Sequence, residues 1–172
     1  LCFVEAEDLA LEQHPLYSLI RKTVMIFYTQ MKTKNITYRL DLDHPEPALM
    51  FDENKIRQVF LHLVRNSVEA MDGGGLLEIT AEEDENHIEV FVTDSGPGIP
   101  SEALPHVKDP FFTTKTHNIG MGLALVDKII SEHNGEFIIA KGVGGGTRAT
   151  VILPKSNHAL KRGNSPEKQS LQ

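Results

Sequence analysis

Asn66, Asp94, the Gly120-Met121-Gly122 triplet and the Gly144-Gly145-Gly146-Thr147 run are the residues of this chain whose types and spacing could do chemistry. A side-chain amide such as that of Asn66 can complete a magnesium octahedron whose other ligands are phosphates and waters. Being neutral, it would hold metal poorly alone, so metal and nucleotide should arrive as a complex. Asp94 ends a strand pattern and opens Asp94-Ser95-Gly96-Pro97-Gly98. A buried carboxylate there would accept the exocyclic amine of adenine and repel guanine, which presents an acceptor at the matching ring position. Gly96 and Gly98 would let backbone approach the purine with no Cβ in the way; an ordinary Asp-Ser-Gly turn is the alternative for this segment alone. Gly120 and Gly122 precede a helix pattern, and the amides of a helix N-terminus, backed by the helix dipole, suit a triphosphate. Together these groups describe a site for ATP carried with Mg²⁺.

Further residues extend the set. Gln58, His62, Asn66 and Glu69 recur at four- and three-residue steps, so they form one polar stripe on a helix. A solvated face is the alternative, but such faces are rich in Lys and Glu, whereas His and Asn can coordinate or hydrogen-bond in a cleft. Lys115, in a Thr-Thr-Lys-Thr-His-Asn run, can bring a mobile charge to the β- or γ-phosphate or simply be solvated. Thr147 could bridge to adenine or to Asp94, directly or through water, or belong to a hairpin turn. Neither the Walker nor the Rossmann glycine spacing occurs.

These groups need elements to position them. Helical spacing runs from Pro15 to Lys34 through Leu16, Leu19, Ile20, Val24 and Phe27, with Asn35 as the stop. Ile36 to Leu42 alternates as a half-buried strand with Ile36, Tyr38, Leu40 and Leu42 on one face, and His44 to Pro47 is a connection. Asp52 suits the N-cap of a long helix to Met71, with Ile56, Val59, Phe60, Leu63 and Val64 as its apolar stripe. Leu76 to Glu82 and Ile88 to Asp94 read as a hairpin, and Ser101 to His106 as a short helix in a long loop. A helix over Leu123 to Glu132, closed by Gly135, precedes strands at Glu136 to Lys141 and Arg148 to Leu153. The mixture is α+β, one layer of helices on one layer of sheet. Residues 1–14 read as a linker, 15–154 as the folded domain and 155–172 as a disordered polar tail.

Composition sets outer limits. A chain of 172 residues suits one domain, and its 40% hydrophobic and 24% charged content is that of a globular protein. The net charge of −7 argues against nucleic acid as a partner. Cys2 is the single cysteine, so a reducing cytoplasmic setting is the default. No apolar run approaches the ~18 to 20 residues that span a bilayer. The first residue is Leu1 rather than Met, which suggests a piece of something longer whose other part could carry an inner-membrane anchor.

The ordered segments resemble the nucleotide-binding boxes of the catalytic domain of bacterial sensor histidine kinases, within the superfamily of gyrase, HSP90 chaperones and MutL. Gln58 to Asn66 is similar to the N box, Asp94 to Gly98 to the first glycine box, Asp109 to Lys115 to the phenylalanine-containing box, Gly120 to Leu123 to the second glycine box and Gly144 to Thr147 to the third. The Asp-Pro-Phe-Phe-Thr-Thr-Lys run looks most like sensor kinases of the nitrogen-regulator and sporulation type. The resemblance implies a two-layer α/β sandwich of the Bergerat type, with a mixed, mostly antiparallel sheet covered on one face by helices and a mobile ATP lid. It implies nucleotide contacts at Asn66, Glu69, Asp94, Gly96, Gly98, Ile99, Phe112, Thr113, Thr114, Lys115, Gly120, Met121, Gly122, Leu123 and Thr147. Asn66 would hold the Mg²⁺, and Asn66, Lys115 and His62 would serve catalysis. The implied partners are a helical dimerisation and phosphoacceptor domain and a response regulator receiver domain. The parent would be a homodimer and this piece alone a monomer.

Two features depart from the family pattern. His62 stands where sensor kinases commonly have asparagine and the gyrase-like hydrolases a glutamate, which leaves pocket lining or general base as its role. No His-Glu-X-X-Asn-Pro acceptor segment is present, and His14-Pro15-Leu16 is only superficially similar to one.

Overall fold

The computed structural model describes residues 8–42, 45–112 and 120–155. Among these, strands β1 (Glu12–His14), β2 (Ile36–Asp41), β3 (Leu49–Phe51), β4 (Gly75–Glu83), β5 (His87–Asp94), β6 (Glu136–Lys141) and β7 (Thr147–Pro154) alternate with helices α1 (Leu16–Ile26), α2 (Tyr28–Thr33), α3 (Glu53–Ala70) and α4 (Gly122–Glu132). The main sheet has the order β2-β4-β5-β7-β6. Its β2–β4 pair is parallel, because α3 carries the chain across between them, and the remaining pairs are antiparallel. β5 shows why one layer of helices suffices. Its residues alternate buried and half-buried along the strand, so one face enters the core and the other stays wet. The core gathers Leu16, Ile20 and Val24 of α1, Ile56, Phe60, Leu63 and Val64 of α3, and Val126 and Ile130 of α4 over Leu77, Ile79, Val90, Val92 and Val151 of the sheet.

α3 carries the polar stripe, and both of its ends are fixed. Asp52 accepts from the Lys55 amide at 3.0 Å and from the Ala10 amide at 3.2 Å. Burial raises the Asp52 pKa, but these backbone donors outweigh it and hold the carboxyl below its usual range. His133, 6% exposed at the end of α4, accepts from the Asp52 amide through Nε2 at 3.1 Å and contacts the Ile129 carbonyl through Nδ1 at 2.7 Å. The start of α3 is thus tied to the end of α4. At its other end, the Lys34 ammonium donates to the Val68 carbonyl at 3.1 Å.

Several expectations change. The single helix over residues 15–34 is interrupted at Phe27, whose amide turns back to the Val24 carbonyl at 3.0 Å in a tightened turn. Pro15 offers α1 no side-chain cap. The carboxylate of Glu46 takes that place, accepting from the Tyr17 amide at 2.9 Å and the Ser18 amide at 2.8 Å. Residues 12–14, expected as linker, pair antiparallel with β3, so the folded unit starts before Pro15. His14 belongs to that pairing, with its ring 5.4 Å from the ring of Phe51. Tyr38 is 38% exposed rather than buried with Ile36 and Leu42, because β2 is an edge strand; its hydroxyl lies against the Met25 sulfur. The short helix expected over Ser101–His106 contracts to a 3-10 turn at Leu104–His106. α4 begins at Gly122, and the left-handed residue after it is Asn134 (φ 58°) rather than Gly135. The Gly135 amide closes the motif onto the Ile130 carbonyl at 2.9 Å, where a Cβ would overlap the Ile152 carbonyl. His44 and residues 156–172 lie outside the described residues.

Candidate active site

The last turn of β5 delivers Asp94 to the junction of sheet and helices, where it is 6% exposed. Its Oδ1 accepts from the Gly96 amide at 3.0 Å and from the Thr147 amide at 3.3 Å, and its Oδ2 from the Ser67 hydroxyl at 3.2 Å. Thr147 is there because β5 and β7 pair with Asp94 opposite Thr147. A carboxylate held from both oxygens by hydrogen-bond donors keeps a fixed direction, which recognition of a purine amine needs. Ser67 was not foreseen from the sequence. It follows Asn66 on α3 and is 5% exposed; a hydroxyl embedded in an otherwise apolar buried stripe was the available signal.

The glycines around Asp94 serve mainly close backbone packing. A Cβ on Gly98 (φ +75°) would lie 2.8 Å from the Gly146 carbonyl oxygen, and one on Gly146 (φ +65°) would overlap the Asp94 carbonyl. Gly96 presses on the end of α3, where a Cβ would stand 3.2 Å from the Ala70 Cβ. At Gly96 and Gly98 the space a Cβ would need is thus occupied by protein, so these glycines also shape the turn. Ile99 is half-buried just beyond it.

The other wall is the polar stripe of α3. His62, Asn66 and Glu69 are half-buried and Gln58 is exposed. His62 lies against the start of α4, with its Nδ1 3.3 Å from where a Cβ on Gly122 would sit. Burial, with the positive charge of Arg65 adding to it, lowers the His62 pKa below its usual value of 6.5. Among the described residues α4 has no side-chain cap at Met121 and no acid in its first turn, and the amides of such a helix start suit an anion. Met121 is 45% exposed, and Leu123 packs half-buried on the core.

Gly120 (φ +75°) accepts from the Phe111 amide at 3.0 Å, and a Cβ there would stand 2.5 Å from the Phe112 carbonyl oxygen. Phe111 itself adopts φ +68° and is 72% exposed, while Phe112 is half-buried with its ring 5.8 Å from that of His106. Thr113, Thr114 and Lys115 lie outside the described residues. The structure thus brings Asn66, Glu69, Asp94, Gly96, Gly98, Thr147 and the start of α4 to one end of the molecule. A small cavity of about 60 Å³ lined by His14, Leu19, Thr23, Glu53 and Arg57 sits at the opposite end of α3.

Residues 51–157 match the family described as histidine kinase-, DNA gyrase B- and HSP90-like ATPase. The chain belongs to this family. Within it the chain is a histidine protein kinase catalytic domain, as its relatives agree. Sporulation kinase E of Bacillus subtilis (strain 168) is 30% identical over 165 residues, 95% of this chain and 22% of that protein. The sensory histidine kinase/phosphatase NtrB of Rhizobium leguminosarum bv. phaseoli is 37% identical over 142 residues, covering 73% of this chain and 37% of that protein. The catalytic domain of histidine kinase ThkA superposes with a TM-score of 0.77 at 32% identity, over 84% of this chain and 95% of that one. ThkA in complex with the response regulator TrrA superposes with a TM-score of 0.76 at 31% identity, over 86% of this chain and 42% of that one. This kinase domain spans between about a fifth and two fifths of the length of the curated relatives named here. Among the described residues no helix is long and apolar enough to cross a membrane.

Proposed function

We propose that this kinase domain binds ATP with Mg²⁺ between α3 and α4 and passes the γ-phosphoryl group to a histidine on a separate helical domain, for relay to a response regulator. The observation that supports it most is the fixed Asp94 carboxylate, which Ser67 ties to α3 one residue after Asn66, with the start of α4 packed on the same helix at His62. Asp94 would accept the adenine amine, and the α4 amides would receive the phosphates. The donor set fits a metal that travels with nucleotide: among the described residues no cluster of three or more His, Cys, Asp or Glu could hold an ion alone, while the Asn66 amide oxygen is a suitable neutral ligand. Magnesium, when bound, neutralises phosphate charge. Lys115, with Thr113 and Thr114, would add charge and donors to the phosphates. In the transfer, the bond from γ-phosphorus to its bridging oxygen breaks, a bond to the acceptor imidazole nitrogen forms, and ADP leaves.

The partners follow from the same reading: a helical phosphoacceptor and dimerisation domain, and a receiver domain of the kind that TrrA supplies to ThkA. The parent would be a homodimer, cytoplasmic or anchored to the inner membrane, and would not bind nucleic acid. The test is transfer of label from γ-labelled ATP to a supplied helical acceptor domain. Label should appear on the acceptor and not on this chain, and Asn66→Ala should remove the Mg²⁺-dependent part of the rate. Stoichiometric labelling of the chain itself, or steady phosphate release that collapses in His62→Ala, would favour a hydrolase or a self-contained kinase instead.

A further inference from the structure

The polar stripe of α3 offers a second donor beside the amide. His62 stands four residues before Asn66 on the same helix, so the two side chains leave it about 6 Å apart along the axis and on one face. Both are half-buried. The imidazole packs against the start of α4, its Nδ1 3.3 Å from the position of a Cβ on Gly122, and it makes no hydrogen bond or ion pair among the described residues. A half-buried imidazole that makes no hydrogen bond among the described residues, one helical turn from a side-chain amide on the same face, is an N donor beside an O donor, the kind of pair a divalent cation takes. Because those residues hold no cluster of three or more His, Cys, Asp or Glu for a metal, the pair can serve only an ion whose other ligands come with a phosphate chain.

We infer that His62 ligates, together with Asn66, the divalent cation that accompanies the nucleotide, and that it shifts the metal preference of the site from Mg²⁺ toward first-row transition ions. This rests on the nucleotide reading above. The chemistry is that of ligand softness: Mg²⁺ demands oxygen ligands in a near-ideal octahedron, whereas imidazole suits the ions that follow Mn²⁺ in the stability series. A histidine at this position therefore adds binding energy for Co²⁺ that it cannot add for Mg²⁺.

The test loads this chain with Mn²⁺ and a non-hydrolysable ATP analogue and reads electron spin echo envelope modulation. Nitrogen-14 modulation from a directly bound imidazole is expected, and it should vanish when the protein carries ¹⁵N-labelled histidine and in His62→Asn. Absent modulation, or modulation indifferent to the histidine label, overturns the inference without requiring any variant to fold. Calorimetry with the same analogue gives a second reading. The preference for the Co²⁺ over the Mg²⁺ complex should fall about tenfold in His62→Asn, the lower end of what altering one group around a bound metal costs; an unchanged ratio contradicts it. If neither complex binds, the nucleotide reading fails and this one with it. If the Mg²⁺ complex binds normally and no histidine coupling is seen, only the role of His62 falls.

Discussion

Asp94, at the end of β5 opposite Thr147 of β7, is held by two backbone amides and a serine hydroxyl, whereas His62, where α3 meets the start of α4, makes no hydrogen bond among the described residues. The first end is finished before any ligand arrives. Its carboxylate points one way because the register of β5 on β7 and the bend through Gly96 hold it there. The second end offers the start of α4, which among the described residues has no side-chain cap, with a neutral side-chain amide and an imidazole, all of which a bound nucleotide and its metal would complete under the proposed function. Under the proposed function, preorganisation of Asp94 would lower the cost of selecting adenine, while an uncommitted end at α4 would accept and release phosphates whose charge changes during turnover.

This contrast can be broken most severely at Asp94. Asp94→Asn should weaken ATP binding by roughly a hundredfold, the loss of about 3 kcal/mol for a charged hydrogen-bonded group in a buried site, and should erase discrimination against GTP. Equilibrium binding of both nucleotides checks it, with thermal denaturation to confirm the fold; unaltered ATP affinity would put the base elsewhere. Next in size is Gly146→Ala, which imposes a left-handed φ on alanine and pushes a methyl group into the Asp94 carbonyl. It should cost about 2 kcal/mol or more of stability. Gly145→Ala, where nothing lies within 4 Å, should cost less; denaturant midpoints for the pair decide whether the turn packs as described.

How much of this was legible beforehand depended on sequence distance. The Asp52 cap, the apolar stripe of α3 and the strand ending at Asp94 are local patterns of period 3.6 or 2, and they stand where the sequence puts them. The pairing of Glu12–His14 with Leu49–Phe51 was not legible, since three-residue strands carry too little periodicity to announce a partner about 37 residues away. The Glu46 cap on α1 and the Ser67 bond to Asp94 join residues 28 and 27 apart, and nothing in either segment alone points to the other. Gly135 drew the helix stop toward itself because glycine is the usual left-handed residue, yet its role is to clear the Ile152 carbonyl. Lys115, expected from the sequence to bring a charge to the phosphates, lies outside the described residues.

Smaller effects sharpen the contrast further. Ser67→Ala should weaken ATP binding by about fivefold, roughly 1 kcal/mol, by loosening one oxygen of Asp94; a change confined to stability, with binding intact, would make Ser67 a packing residue only. Smallest is the effect of pH at the open end. The folded state holds the His62 pKa below 6.5, so between that value and the lower folded one the unfolded chain binds more protons. The contribution of His62 to stability is complete above pH 6.5 and is lost as pH falls toward the folded pKa. Denaturant titrations of the wild type and His62→Asn across that range should differ in slope on the acid side and run parallel above it; identical slopes would mean that the ring is not desolvated.

The most direct measurement of the central claim is a crystal structure of this chain with Mg²⁺ and a non-hydrolysable ATP analogue. The expected result places the adenine amine within hydrogen-bonding reach of Asp94, the phosphates at the start of α4 and the metal on the Asn66 amide. A nucleotide bound elsewhere, or one whose base does not meet Asp94, would contradict it.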